Sequence, residues 1–276
     1  MVKFGAKIRI FNEMIKKIPE SELILNPDGS IYHLKLRPEY IAETILIVGD
    51  PGRVEMISRC FESVEHKISN REFTTHTGIF NHKRISVMST GIGTDNIDIA
   101  LNELDAIVNI NLETREIKES ATVLNLIRLG TSGALQEDIP VDSIVISTHG
   151  LGLDGLLNFY RNNEIIDEAM TQSFIKHTNW GVNLSRPYIV KGSDKLINQL
   201  GNGFIHGITA TSPGFYGPQG RVLRMPVAYP EQNDKIISFS YQNRRIVNYE
   251  METSALYGLG RLLGHAMRRF DERVLH

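Results

Sequence analysis

The sequence predicts an α/β protein built on a mostly parallel sheet. Short apolar runs of strand type alternate with stretches of helical spacing. Several of the strands end in glycine-rich turns that lead into a helix. No internal repeat or low-complexity tract interrupts the alternation.

The 276 residues suit one large α/β domain or two small ones. A composition 41% hydrophobic and 22% charged is ordinary for a globular chain. A formal charge of −2 provides no basic field for nucleic acid or a membrane surface. Cys60 is the single cysteine, so an intramolecular disulfide is excluded, and no CxxC or Cys/His cluster offers a metal site. The amino terminus lacks a signal-peptide pattern, and no apolar run approaches the roughly 18 residues of a membrane span. A soluble, cytoplasmic protein is expected.

Residues 7–18 place Phe11, Met14, Ile15 and Ile18 at helical spacing, and Pro19 stops that helix. Asn26-Pro27-Asp28-Gly29 is a loop. Residues 1–30 therefore read as an N-terminal extension, and residues 31–276 as a single domain. TILIVGDPGRV (44–54) is a strand, a turn at Gly49–Arg53 and the start of a helix through Val54, Ile57 and Phe61. Such junctions are where α/β proteins bind anions. The spacing is neither GxGxxG nor a P-loop, which excludes a dinucleotide fold and a standard NTPase. Residues 71–80 and 83–90 form paired strands joined at Asn81-His82. Thr90-Gly91-Ile92-Gly93 is a second glycine turn. Ile97, Ala100, Leu101, Leu104, Ile107 and Val108 then follow a helical period, and residues 109–121 make a polar, exposed connection.

TVLNLIRLGTSGAL (122–135) is the stretch around which the rest is organised. Its apolar part reads as a buried strand, and Arg128, Gly130, Thr131, Ser132 and Gly133 gather at the strand's end. Glycines admit close backbone approach, hydroxyls donate, and a guanidinium binds two oxygens at once. On its own the run fits either an anion site or a tight strand-to-helix turn. Val141 to Thr148 is a further strand, helical spacing recurs around 165–175, and 204–211 is again a strand. SPGFYGPQGR (212–221) is a long loop. Residues 246–252 form a strand, and a helix follows through Ala255, Leu256, Leu259, Leu262 and Leu263.

Ligands bind beyond the carboxyl ends of strands in such sheets, so the chemistry should gather at 49–53, 90–94, 128–133, 212–221 and 250–252. Arg53 and Arg128 suit phosphate. Gln219 and Arg221, two apart, offer an amide and a guanidinium fork to the edge of a pyrimidine-like ring, with Phe215 to stack on its face. The competing reading of that loop is a mobile surface segment. A carboxylate in Glu250-Met251-Glu252 suits sugar hydroxyls, and acidic residues are also favoured there by the dipole of the helix that follows.

Together, GDPGRV (49–54), NREFTT (70–75), STGIG (89–93), RLGTSGAL (128–135), FYGPQGR (215–221) and NYEME (248–252) resemble the nucleoside phosphorylase family, most closely its uridine phosphorylases. The motifs stand in the family's order from about residue 33 to 267. The resemblance implies a central mixed, partly barrel-like sheet flanked by helices. It also implies a pentosyltransferase that splits a ribonucleoside reversibly with inorganic phosphate. By position, Gly49, Arg53, Arg128 and Thr131 would bind phosphate. Arg71 and His33 would reach a neighbouring subunit's phosphate and ribose in a homodimer or hexamer. Thr90 would line the sugar–phosphate region, and Met251 and Glu252 would hold the ribose with Glu250 alongside. Gln219 and Arg221 would bind the base under Phe215, and these two with Arg128 would carry catalysis. Beyond phosphate as co-substrate it implies no cofactor, although some family members bind a monovalent cation near positions matching Glu72 and Ile92. The same fold also serves purine nucleosides and nucleoside hydrolysis, and a catalytically weak nucleoside-binding protein is a further alternative. One departure stands out: after Met267 the chain reads RRFDERVLH, short and charged, where the family continues into another core strand. A core strand is therefore expected to be missing, with a sheet edge exposed.

Overall fold

The computed structural model describes residues 17–161 and 164–275, with backbone alone for 266–275. Most of the helix expected over 7–18 lies outside the described residues. The strands in chain order are β1 (Thr44–Val48), β2 (Ser63–Asn70), β3 (Phe73–Phe80), β4 (Lys83–Ser89), β5 (Ile110–Asn111), β6 (Glu116–Ile117), β7 (Asn125–Ala134), β8 (Val145–Gly152), β9 (Tyr188–Lys191), β10 (Ile205–Thr211), β11 (Ser240–Tyr241), β12 (Arg244–Glu250) and β13 (Ala266–Leu275). β5 and β6 pair only with each other, within the expected 109–121 connection.

The other strands form one mixed sheet in the order β11-β12-β10-β8-β13-β7-β1-β4-β3-β2, with β9 beside β8. β4, β1 and β7 run parallel, as do β8, β10 and β12. A further antiparallel pairing, Asn248 with Ala134 and Tyr249 with Gly133, returns β12 to β7. The path β7-β12-β10-β8-β13 therefore closes on itself, the barrel-like part of the sheet.

Local chemistry explains the elements that serve the site. Asp50 caps the helix Pro51–Ser58 by accepting from the Gly52 amide at 2.9 Å, with Pro51 at the first helical position. Asn81 and His82 both take positive φ, the two-residue turn that matches the twist of a hairpin. Helix Thr94–Asn109 buries Ile97, Leu101, Leu104 and Ile107 on one side, as its period predicts. It packs with helix Thr253–Leu263 in a core that includes Ile45, Ile47, Leu124 and Leu126. Leu23 is buried in the same core, so part of the expected N-terminal extension packs on the domain. A second core, around Phe174, Ile208, Phe239 and Ile246, fills another face of the sheet.

Two expectations are corrected. Gly130–Gly133 is not a turn into a helix: β7 runs on through Ala134, leaving β1 and pairing with β12. The closed path needs one strand long enough to serve partners on both sides. The missing strand is also not missing. β13 lies between β7, which it parallels from Ala266–Asn125 to Leu275–Gly133, and β8. Two facing rows of backbone donors and acceptors in mid-sheet demand a partner, and that demand outweighs the weak strand preference of a charged segment.

Candidate active site

The carboxyl ends of β1, β4, β7 and β12, with the loop after β10, surround a cavity of about 520 Å³. Its lining includes Gly49, Arg53, Arg128, Thr131, Phe215, Gln219, Glu250, Met251 and Glu252. Residues from five separate segments of the sequence thus meet in one space, Gly91 and Ile92 supplying the turn after β4. Asp50, Pro51, Gly91 and Ser132, which belong to the turns read from the sequence but were given no individual binding role, also line it, as does Tyr249, a chain neighbour of Glu250.

Arg128 lies at the cavity's base, 3% exposed. Its Nη2 donates to Glu252 Oε2 at 2.5 Å. Its Nε and Nη1 are buried and have no hydrogen-bond partner among the described residues. Unpaired charged donors are costly to bury, so this geometry favours an anion in the cavity. The Arg53 Nη1 donates to Leu129 O at 3.2 Å. A Cβ on Gly49 would lie 3.4 Å from Arg53 Nη2 and 3.7 Å from Arg128 Nη2, so the two guanidinium groups converge over this residue.

Glu252 joins three elements: its other oxygen, Oε1, accepts from the Gly93 amide at 2.9 Å. The Thr90–Gly93 turn reaches it because Gly91 takes φ +71°, where a Cβ would also press on Asn96 at 2.6 Å. Thr90 itself is fully buried behind this turn, its amide bonded to Val48 O. Glu250, 5% exposed, accepts from Thr211 Oγ1 at 2.6 Å and from the amides of Glu252 and Thr253.

At the opposite end, Arg221 Nη1 donates to Phe215 O at 2.7 Å and to Gln219 Oε1. Its guanidinium stands 3.9 Å from the Phe215 ring centre. The three residues expected at a base therefore form one cluster. Phe215 and Gln219 line the site cavity, whereas Arg221 lies behind them and lines a second cavity of about 1030 Å³. Burial pushes the Tyr249 phenol well above its usual range, while Gln232 and the Arg221 charge act in the opposite direction.

His33 and Arg71 are not brought to this cavity within the chain. Glu103 holds His33, accepting from its backbone amide at 3.0 Å and lying 2.6 Å from Nδ1. Asn70 donates to His33 O, and Arg71 lies 5.7 Å from the Tyr32 ring centre. They form a separate group on one face. Glu72 packs against the Gly91 turn beside Ile92. Among the described residues no three His, Cys, Asp or Glu side chains gather to hold a metal ion, and no helix is long and apolar enough to cross a membrane.

The family model of the phosphorylase superfamily matches residues 43–268, and the chain belongs to that superfamily. A uridine phosphorylase of Thermococcus kodakarensis is 29% identical over 91% of this chain and 79% of its own length. A DeoD-type purine nucleoside phosphorylase of Brevibacillus brevis is 31% identical over 82% of this chain and 79% of its own. The crystal structure of a Trypanosoma brucei nucleoside phosphorylase, described as showing uridine phosphorylase activity, superposes with a TM-score of 0.79 at 27% identity, covering 92% of this chain and 90% of that one.

The Arg128–Glu252 pair yields a first prediction. Glu252→Gln keeps the shape but removes the charge facing a buried guanidinium, and should cost about 1.5–3 kcal/mol of stability. Inorganic phosphate should then raise the melting temperature more in the variant than in the unsubstituted protein, because the anion becomes the negative charge at Arg128. Equal shifts in a thermal-melt series would contradict an anion site at this guanidinium.

Proposed function

We propose that this chain catalyses the reversible phosphorolysis of a pyrimidine ribonucleoside, uridine and phosphate giving uracil and ribose 1-phosphate, as a cytoplasmic pentosyltransferase. The observation that carries the proposal is the single cavity that Arg128, with two donors unpartnered among the described residues, shares with Met251, Glu252, Gln219 and Phe215. Relatives named uridine phosphorylase support it.

Cleavage of the glycosidic bond builds positive charge on the ribose and negative charge on the base. Phosphate held by Arg53, Arg128, Thr131 and the backbone at Gly49 lies on one side of the sugar, stabilises the first charge and attacks C1′. The C–N bond electrons pass to the base, where Gln219 and Arg221 stabilise them. Placed donors of this kind are commonly the largest catalytic contribution, with losses of about 10²–10³-fold for one donor. Met251 and Glu252 hold the ribose, with Thr90 behind the turn that faces it. A monovalent cation near Glu72 and Ile92 remains part of the family resemblance and carries no step.

Uracil presents O4, N3–H and O2 along one edge, which an amide and a guanidinium can satisfy together. Adenine presents a different edge, and each polar group left unpaired costs about 1–3 kcal/mol. Uridine should therefore exceed adenosine in kcat/KM, and Arg221→Ala should lower both the rate and the preference. Equal use of the two nucleosides by the unsubstituted protein would replace this reading with a purine-tolerant phosphorylase, which the Brevibacillus brevis relative brings into view.

His33 and Arg71 lie outside the cavity of their own chain, which fits a site completed in trans. The protein is expected to be a homodimer or a hexamer. Light scattering on the active enzyme should give at least twice the chain mass; a fully active monomer would defeat the assignment of these two residues.

A further inference from the structure

The first turn of helix Thr253–Leu263 is held by residues that the proposed chemistry does not use. On the cavity side, Thr211 Oγ1 donates to Glu250 at 2.6 Å and accepts from the Ser254 amide at 2.9 Å. Glu250 in turn accepts from the amides of Glu252 at 2.7 Å and Thr253 at 3.0 Å. Away from the cavity, Asp154 accepts from Ser254 Oγ at 2.8 Å, from the Tyr188 hydroxyl at 2.8 Å and from the Leu156 amide at 2.8 Å. Tyr188 is fully buried, and burial together with the Asp154 charge raises its phenol well above the usual range, which keeps it a neutral donor.

The backbone is shaped to allow this convergence. A Cβ on Gly150 would come within 2.9 Å of Ser254 Cα, and one on Gly152 within 2.2 Å of the Tyr188 ring. Two glycines on β8 thus let the helix start and the tyrosine lie directly against the sheet. The clamped turn carries Glu252, whose carboxylate must meet both Arg128 and the Gly93 amide.

We propose that Asp154 and Glu250 are positioning residues, which clamp this turn from opposite sides through Ser254 and Thr211 so that Glu252 is held on Arg128. Glu250 acts through the backbone of Glu252 rather than on the sugar, since both its oxygens already accept from the turn. Asp154 acts at one further remove, through the Ser254 hydroxyl. Carboxylates that accept from fixed backbone donors are strong, oriented anchors, and catalytic geometry depends on such support.

This inference rests on the phosphorylase reading, and the test separates the two. Hydrogen exchange at the amides of Glu252, Thr253 and Ser254 is measured in the full-length protein and in Asp154→Asn, Glu250→Gln and Ser254→Ala. Each variant should speed exchange at this turn by about tenfold while sparing the last turn of the same helix. Unchanged exchange would overturn the proposal whether or not the protein turns over uridine.

A kinetic cycle then reads the coupling to Glu252. Asp154→Asn should lower kcat/KM for uridine by about tenfold, but by less than about twofold in the Glu252→Gln background. Equal factors in both backgrounds would mean a general structural role and would overturn the proposal. Should Asp154→Asn fail to fold, Ser254→Ala removes only the hydroxyl and replaces it in the cycle. An unsubstituted protein without turnover would refute the phosphorylase reading and leave the exchange arm to decide the clamp.

Discussion

The Arg128–Glu252 ion pair is the interaction on which the site depends. Both side chains are almost wholly buried, so neither charge is tolerable without the other. The pair ties β7 to the start of helix Thr253–Leu263, and the bond from Gly93 to Glu252 adds the turn after β4. It also leaves Nε and Nη1 of the guanidinium without a partner among the described residues, and those are the donors that the proposed phosphate would take up. A contact that secures the fold thereby orients the group that would bind phosphate. The same carboxylate faces the space where a ribose would lie, so the phosphate and sugar ends share one anchor.

The sheet brings these residues together by closing on itself. β7 leaves β1 and reaches β12, so Thr131 and Ser132 come to lie beside Tyr249 and Glu250. In an open sheet of the same strands, the ends of β7 and β12 would stand on different parts of the rim. Asn248 Nδ2 donates to Ser132 Oγ at 2.9 Å across this seam, a buried side-chain bond that accompanies the backbone pairing. Gln219, Arg221 and Phe215 come from a loop rather than a strand, and their mutual contacts form the cluster where the proposed base would lie.

Much of this was legible in the sequence because the site sits where strands stop. Gly49–Arg53, Thr90–Gly93 and Glu250–Glu252 are short, chemically distinctive segments, and each carries its own local cause: an Asp cap with Pro51, positive-φ glycines, and a helix start. What was not legible depends on pairing between distant segments. β13 is charged and offers no apolar alternation, and it is a strand because β7 and β8 leave a slot for it. The passage of β7 through Gly130–Gly133 looked like a turn because its second partner lies more than a hundred residues away. Asp154 and Tyr188 carry no motif at all; their role follows from where Gly150 and Gly152 let the helix settle. Glu250 and Glu252 look alike in sequence, yet one holds the amides of its own turn and the other reaches Arg128 and the distant Gly93 amide.

The central claim is that the cavity is built to use an anion as the second reactant. The most direct measurement is uracil release from uridine by the purified full-length protein, with and without inorganic phosphate. Turnover that requires phosphate and yields ribose 1-phosphate in equal amount with uracil is the predicted result. Uracil release at the same rate without phosphate, or uridine binding with no turnover in either condition, would contradict it.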